Sequence, residues 1–188
     1  MTAIIGISGS LRTRSLNAAL LRVAVGLAPA GTSVEIESIR EIPLYDGDVE
    51  ASAGIPPVVA ALKDRIASAD GLLLVTPEYN NSMPGVFKNA IDWLSRPADD
   101  IPRVFGGLPV GVVGASPGRF GTLLSQNAWL PVLKTLGAQP WFGQSLYLGG
   151  AHRLFDASGA LTDEESRKRV QSYVAGFAEF VSAARRRR

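Results

Sequence analysis

The chain has 188 residues, 46% hydrophobic and 19% charged, with 20 glycines and 12 prolines spread along it. That is the size and composition of one globular domain with a substantial core, and it excludes a collagen-like or wholly disordered chain. The net charge is +2, but residues 185–188 are all arginine, and without them 15 basic residues stand against 17 acidic ones.

Residues 3–7 are a short apolar run ending at Ser8 and Gly9, the pattern of a buried strand that feeds a loop. Beyond the loop Leu16, Leu20, Val23 and Leu27 recur at helical spacing, so the first unit is predicted as strand, loop and helix. Residues 33–39 place Val34, Ile36 and Ile39 among polar neighbours in imperfect alternation, which predicts a second strand nearer a sheet edge. A proline- and glycine-containing stretch over 43–57 is predicted as a long connection. Val59, Leu62 and Ile66 mark a second helix. In residues 71–76, Leu72, Leu73, Leu74 and Val75 leave no polar face, and such a strand belongs in the middle of a parallel sheet covered on both sides.

After a loop over 77–83, Pro84 opens a helix with Phe87, Ala90, Ile91 and Leu94 on one stripe. Proline suits a first turn because its missing N–H is not needed there. The unit repeats as a strand over 109–114, a loop over 115–121 and a helix over roughly 122–136, with Pro131 as a kink position. Residues 141–148 are predicted as a fifth strand. The last helix opens with Thr162 and Glu165 at capping-box spacing and carries Val170, Val174, Phe177 and Val181. Five strands alternating with five helices, without a break in composition, predict one doubly wound α/β domain over 1–184 and an arginine tail over 185–188.

The chain has no cysteine and one histidine, His152, which excludes disulfide scaffolds, thiolate metal sites, cysteine nucleophiles and histidine clusters. No apolar run reaches the ~18 residues that span a bilayer. The first ten residues lack the charged and apolar regions of a secretory signal, so a cytoplasmic protein with no membrane partner is expected. The arginine tail supports at most weak, salt-sensitive contact with nucleic acid and has no recognition motif beside it, so no nucleic-acid partner is expected.

In open parallel sheets ligands sit beyond the carboxyl ends of the strands, and three loops leave such ends. The first runs Gly9-Ser10-Leu11-Arg12-Thr13-Arg14-Ser15-Leu16-Asn17, in a stretch with no acidic residue before Glu35. Small residues, hydroxyls and arginine at a helix start suit a phosphate. The other reading is a solvated loop whose Ser15 caps the helix. The Walker A and Gly-x-Gly-x-x-Gly patterns are both absent. In the second loop Tyr79 offers a flat face for a ring; the alternative is a rigid two-proline turn in which Asn80 and Ser82 bond their own backbone. Glu78 has no second carboxylate nearby and reads as a solvated or structural residue. The third loop, Gly114-Ala115-Ser116-Pro117-Gly118, has the form of a nucleophile elbow. Pro117 lacks the N–H that an oxyanion hole needs, and no acid lies between Ser116 and His152, so serine hydrolysis is excluded. Ser116 and Gly118 read instead as a close-approach loop lining a ligand. His152 reads as a surface or interface residue, and Trp93, Trp129 and Trp141 as packing.

Gly9-Ser10-Leu11-Arg12 with Ser15 and Asn17, and the run from Thr76-Pro77-Glu78-Tyr79-Asn80 through Ser82, Pro84, Gly85, Lys88, Asn89, Ala90, Ile91, Asp92 and Trp93, resemble the NAD(P)H-dependent FMN reductase family with its chromate- and quinone-reducing members. The resemblance implies a flavodoxin-like fold: a doubly wound five-stranded parallel sheet in the order 2-1-3-4-5 with helices on both faces. It implies that Ser10, Arg12, Ser15, Leu16 and Asn17 hold the FMN phosphate, that Pro77, Glu78, Tyr79 and Asn80 contact the isoalloxazine, and that Ser116, Pro117 and Gly118 flank its other side. It further implies hydride transfer from NAD(P)H through flavin N5 to a small-molecule acceptor such as a quinone, chromate, an azo compound or free flavin. The cofactor performs that chemistry, with no dedicated catalytic side chain and no metal. A homodimer is implied, with a homotetramer as the larger alternative. The competing reading is a flavodoxin-type electron carrier that does not oxidise nicotinamide itself.

Overall fold

The structure, a computed structural model, describes residues 1–185, without the Arg185 side chain; the rest of the expected arginine tail lies outside the described residues. In chain order the elements are β1 (Thr2–Ser8), α1 (Leu16–Gly26), β2 (Thr32–Glu37), α2 (Gly47–Ala53), α3 (Pro57–Ala67), β3 (Gly71–Val75) and α4 (Gly85–Leu94). There follow α5 (Ile101–Val104), β4 (Pro109–Ala115), α6 (Leu123–Thr135), β5 (Gln139–Pro140), β6 (Tyr147–Leu148) and α7 (Glu164–Arg185). All strand pairs are parallel, in the order β2-β1-β3-β4-β5, and β6 pairs with the far end of β4. This is the order that the resemblance implies, with β2 at the edge as its imperfect alternation predicts.

The period-two alternation of strand side chains divides the interior into two cores. Ile4, Leu73, Val75, Val113 and Ala115 point to one face, where α1 and α7 pack with Leu20, Tyr173 and Phe177. Ile5, Ile7, Leu72, Leu74 and Val110 point to the other, under α3, α4 and α6 with Ile66, Phe87 and Trp129. Every residue of β3 is buried, as an all-apolar central strand requires. Each of its leucines contributes about 1.5–3 kcal/mol by leaving water.

The fifth strand position differs from expectation. In place of one strand over 141–148 there are β5 and β6, separated by an irregular segment. Pro140 brings no N–H to the ladder, and the Trp141 ring turns toward α7, 4.9 Å from Tyr173 and 5.7 Å from Phe177. Two helices add to the expected five. α2 lies within the expected connection and buries no residue, so it leaves no apolar periodicity to detect. α5 is a single short turn. At the start of α7 the cap lies one residue beyond the expected Thr162: Asp163 Oδ1 accepts from the Ser166 amide at 2.8 Å, whereas Thr162 bonds Leu154 O at 3.2 Å. Among the described residues no helix is long and apolar enough to cross a membrane.

Candidate functional site

The loops after β1, β3 and β4 meet at the carboxyl end of the sheet. The first sits low because Gly9 has no side chain: a Cβ there would overlap the Phe87 ring of α4. Its amide continues the ladder by donating to Val75 O at 2.9 Å. The loop then closes on its own serines. Ser8 Oγ accepts from the Ser10 amide and Ser10 Oγ from the Arg12 amide, each at 3.4 Å. Ser15 caps α1, its Oγ accepting from the Ala18 amide at 3.2 Å. Arg40, beyond β2, donates to Leu11 O at 2.6 Å and braces the loop from outside. Arg12 and Arg14 are exposed, and among the described residues neither forms an ion pair. The loop therefore presents unpaired cationic charge beside the positive end of α1.

In the second loop Tyr79 and Ser82 exchange two backbone hydrogen bonds of 3.0 Å around Asn80 and Asn81, whose φ angles are 50° and 61°. Two left-handed central residues make a type I′ turn, and asparagine is the non-glycine residue best able to adopt that conformation. The turn is thus built by backbone bonds, not by the asparagine and serine side chains. It leaves Tyr79 43% exposed beside buried Pro77. Glu78 is structural: its Oε2 accepts from the Leu124 and Ser125 amides at 2.9 and 3.1 Å, in the first turn of α6. Beneath the loop the Thr76 hydroxyl accepts from the Trp129 indole N–H at 3.1 Å and shares a 2.8 Å bond with Ser125.

In the third loop Ser116 Oγ accepts from the Gly118 amide at 3.0 Å. Its backbone is held by the segment after β6, Gly118 O accepting from Gly150 at 3.0 Å and Ser116 O from Ala151 at 3.0 Å. A Cβ on Gly149 would overlap the Arg119 carbonyl. Gly149 and Gly150 escaped the sequence reading, although the glycine pair just after a predicted strand was the signal for such a close approach. Buried Asn17 closes the arrangement: its carboxamide donates to Ala115 O and accepts from the Ala115 amide, both at 2.9 Å. These two bonds use the carboxamide oxygen and one N–H, and Asn17 lines the cleft at the start of α1.

Ser10, Arg12, Ser15, Leu16, Asn17, Pro77, Glu78, Tyr79, Ser116 and Pro117 line one open cleft, joined by Ala115. Asn80, at the tip of its turn, and Gly118 lie outside this lining. His152 is exposed on a short turn after β6, and Trp93 and Trp129 are fully buried. One end of the cleft carries guanidinium, hydroxyl and helix-start amide donors, the chemistry of a phosphate site. The other end lies between the Pro77–Tyr79 and Ser116–Pro117 backbones, with a tyrosine ring to cover a planar group. A phosphorylated planar heterocycle fits this donor set.

The sequence model described as NADPH-dependent FMN reductase matches residues 2–153. The chain is 46% identical over 168 residues to an NAD(P)H-dependent FMN reductase of Pseudomonas aeruginosa, covering 89% of each protein. It is 39% identical over 173 residues to a 2-hydroxy-1,4-benzoquinone reductase of a Burkholderia species, covering 92% of each. Among solved structures it is similar to FerB, a flavoenzyme NAD(P)H:(acceptor) oxidoreductase of Paracoccus denitrificans, with a TM-score of 0.87 and 35% identity, over 98% of this chain and 99% of that one.

Proposed function

The chain belongs to the NADPH-dependent FMN reductase family, and on that premise we propose that it is an FMN-containing oxidoreductase that moves hydride from NAD(P)H to quinones. The observation that carries this reading is the cleft itself, with unpaired Arg12 and the α1 start at one end and two opposed loop backbones at the other. FMN, when bound, supplies the redox chemistry, accepting hydride at N5 and releasing electrons to a second substrate. The chain's own residues bind and orient. Arg12, the Ser10 hydroxyl and the first amides of α1 neutralise the phosphate. Pro77 and Tyr79 support one side of the ring system and Ser116 and Pro117 the other. The cleft lining holds no histidine and Glu78 Oε2 is engaged by α6, which accords with chemistry carried by the flavin and not by a side-chain acid or base.

A quinone acceptor is supported by the Burkholderia relative; chromate, azo compounds and free flavin form the rest of the acceptor panel. A homodimer is part of the proposal. Phe120 at 73% and Leu124 at 45% exposure present apolar surface beside the cleft, and sedimentation of the purified protein measures the state. The deciding experiment is anaerobic mixing of FMN-loaded protein with NADPH or NADH. The yellow absorbance bleaches and returns on adding benzoquinone. Protein that retains no FMN, or that holds FMN which neither nicotinamide bleaches, overturns the reading; the latter outcome is that of an electron carrier needing a partner reductase.

A further inference from the structure

The third loop is tied at both ends by side chains from the other two. At its start Asn17, from the first loop, bonds both backbone groups of Ala115 at 2.9 Å. At its finish Glu78, from the second loop, accepts from the Leu124 and Ser125 amides. The residue in the cap position of α6, Thr122, makes no cap bond of its own, and its hydroxyl instead accepts from Gln126 Nε2 at 3.0 Å. Glu78 therefore replaces the missing local cap across 46 positions of chain, and it places a carboxylate at the positive end of the α6 dipole.

We propose that Glu78 and Asn17 are positioning residues that set the gap between the Pro77–Tyr79 and Ser116–Pro117 walls of the cleft, and so the fit of the planar group held between them. Glu78 spans from one wall to the helix that ends the other, while Asn17 locks the base of that second wall to α1. Between the two struts, residues 117–120 are exposed and hang from the glycine contacts after β6. The segment after β6 holds the middle of the loop, Ser116 N donating to Leu148 O while Ser116 O and Gly118 O accept from Ala151 and Gly150, and the two struts fix its ends. A wall held in this way keeps the ring's site preformed, whereas losing one strut loosens that end.

This inference rests on FMN being the bound group, and its test separates the two ideas. Apoprotein of the native sequence, E78A and E78Q is titrated with FMN by fluorescence quenching, and thermal unfolding and the visible spectrum of bound FMN are recorded alongside. Removing the two charge-assisted bonds weakens FMN binding by about tenfold or more in E78A and shifts the flavin absorption maximum. The E78Q amide oxygen can accept the same two bonds and restores most of the affinity and the spectrum. Asn17→Ala changes affinity and spectrum in the same direction as E78A; should that buried substitution fail to fold, the Glu78 pair decides. An E78A protein that melts earlier yet binds FMN as tightly and with the same spectrum as the native chain overturns the inference, because Glu78 then only stabilises the fold. E78Q as weak as E78A also overturns it, since charge and not the bonded strut would matter. Native protein that does not bind FMN at all overturns the functional reading and this inference together.

Discussion

Arg12 is exposed on a loop that carries no carboxylate and forms no ion pair among the described residues. Its guanidinium is available to an anion without first breaking a protein contact. A charge-assisted bond to phosphate is stronger than a neutral one, so Arg12→Ala is expected to weaken FMN binding by roughly 10- to 100-fold. Raising the salt concentration should weaken the native protein more than the variant, because part of the attraction is screened. Titration of apoprotein at two ionic strengths checks this, and equal affinities at both would remove Arg12 from the phosphate end. Arg12 and Ser10 were legible in the sequence because an arginine among small residues between a strand and a helix has a local meaning. The tasks of Asn17 and Glu78 were not. Their partners are backbone groups 98 and 46 positions away, and backbone groups leave no mark in the sequence.

α2 shows how an element can be fixed without burying anything. The segment leading into it is strapped to α4 by polar contacts: Pro43 O accepts from Asn89 Nδ2 at 2.8 Å and Trp93 Nε1 at 3.0 Å, and the Tyr45 amide donates to Asn89 Oδ1 at 2.8 Å. Glu50 closes the strap, accepting from Arg96 Nε at 2.8 Å and from the Tyr45 hydroxyl at 2.9 Å. The Arg96 hydrogen bond, helped by that of Tyr45, holds the Glu50 carboxyl below its ordinary value. A carboxyl lowered in this way favours the folded strap above the ordinary glutamate pKa of about 4.3, and the advantage is lost as pH falls through the lowered value. Backbone amides of 47–53 should therefore exchange faster with solvent in acid, relative to the core, and Glu50→Gln should exchange faster already at neutral pH and lose that acid dependence. Unchanged exchange in the variant would show that Glu50 does not hold the strap.

A second set of charges braces the neighbouring region. Lys63, buried on α3, bonds Arg96 O and pairs with Asp100 at 2.6 Å, and Arg103 reaches Asp100 and Asp64 at 2.6 and 2.8 Å. Bonds from Arg103 and then Lys63 hold the Asp100 carboxyl well below the usual carboxylate range. None of this is legible in the sequence, because the partners of Lys63 and Asp64 on α3 lie 33 and 39 positions along the chain. The long apolar elements were visible, and the all-apolar β3 most of all. The fifth strand was misplaced because apolar residues in 141–148 serve two purposes, and the Trp141 ring serves the aromatic cluster on α7 rather than a strand face.

Across the whole molecule the two cores share one sheet, so β1, β3 and β4 cannot lose their packing on one face and keep it on the other. Trp93 and Trp129 report on the core under α4 and α6, and Trp141 packs against the other, under α7. Denaturant unfolding followed by tryptophan fluorescence and by far-ultraviolet circular dichroism is expected to give coincident transitions, as one domain over 1–184 requires. Phe177→Ala, at 1% exposure in the α7 core, should shift both probes together by about 3–5 kcal/mol. Separate transitions would mean that the chain folds in more than one unit.

The sequence by itself determined the class of fold, the order of the long apolar elements, and which three loops meet at the carboxyl end of the sheet. Those properties follow from hydrophobic periodicity and from local turn and cap chemistry, which act over a few residues. The tertiary structure alone decided how the loops are held: Asn17 on Ala115, Glu78 on the start of α6, and the glycines after β6 against the third loop. Each of these contacts joins a side chain or a glycine to backbone far along the chain. Its strength depends on distance and direction in space, which only the assembled sheet supplies.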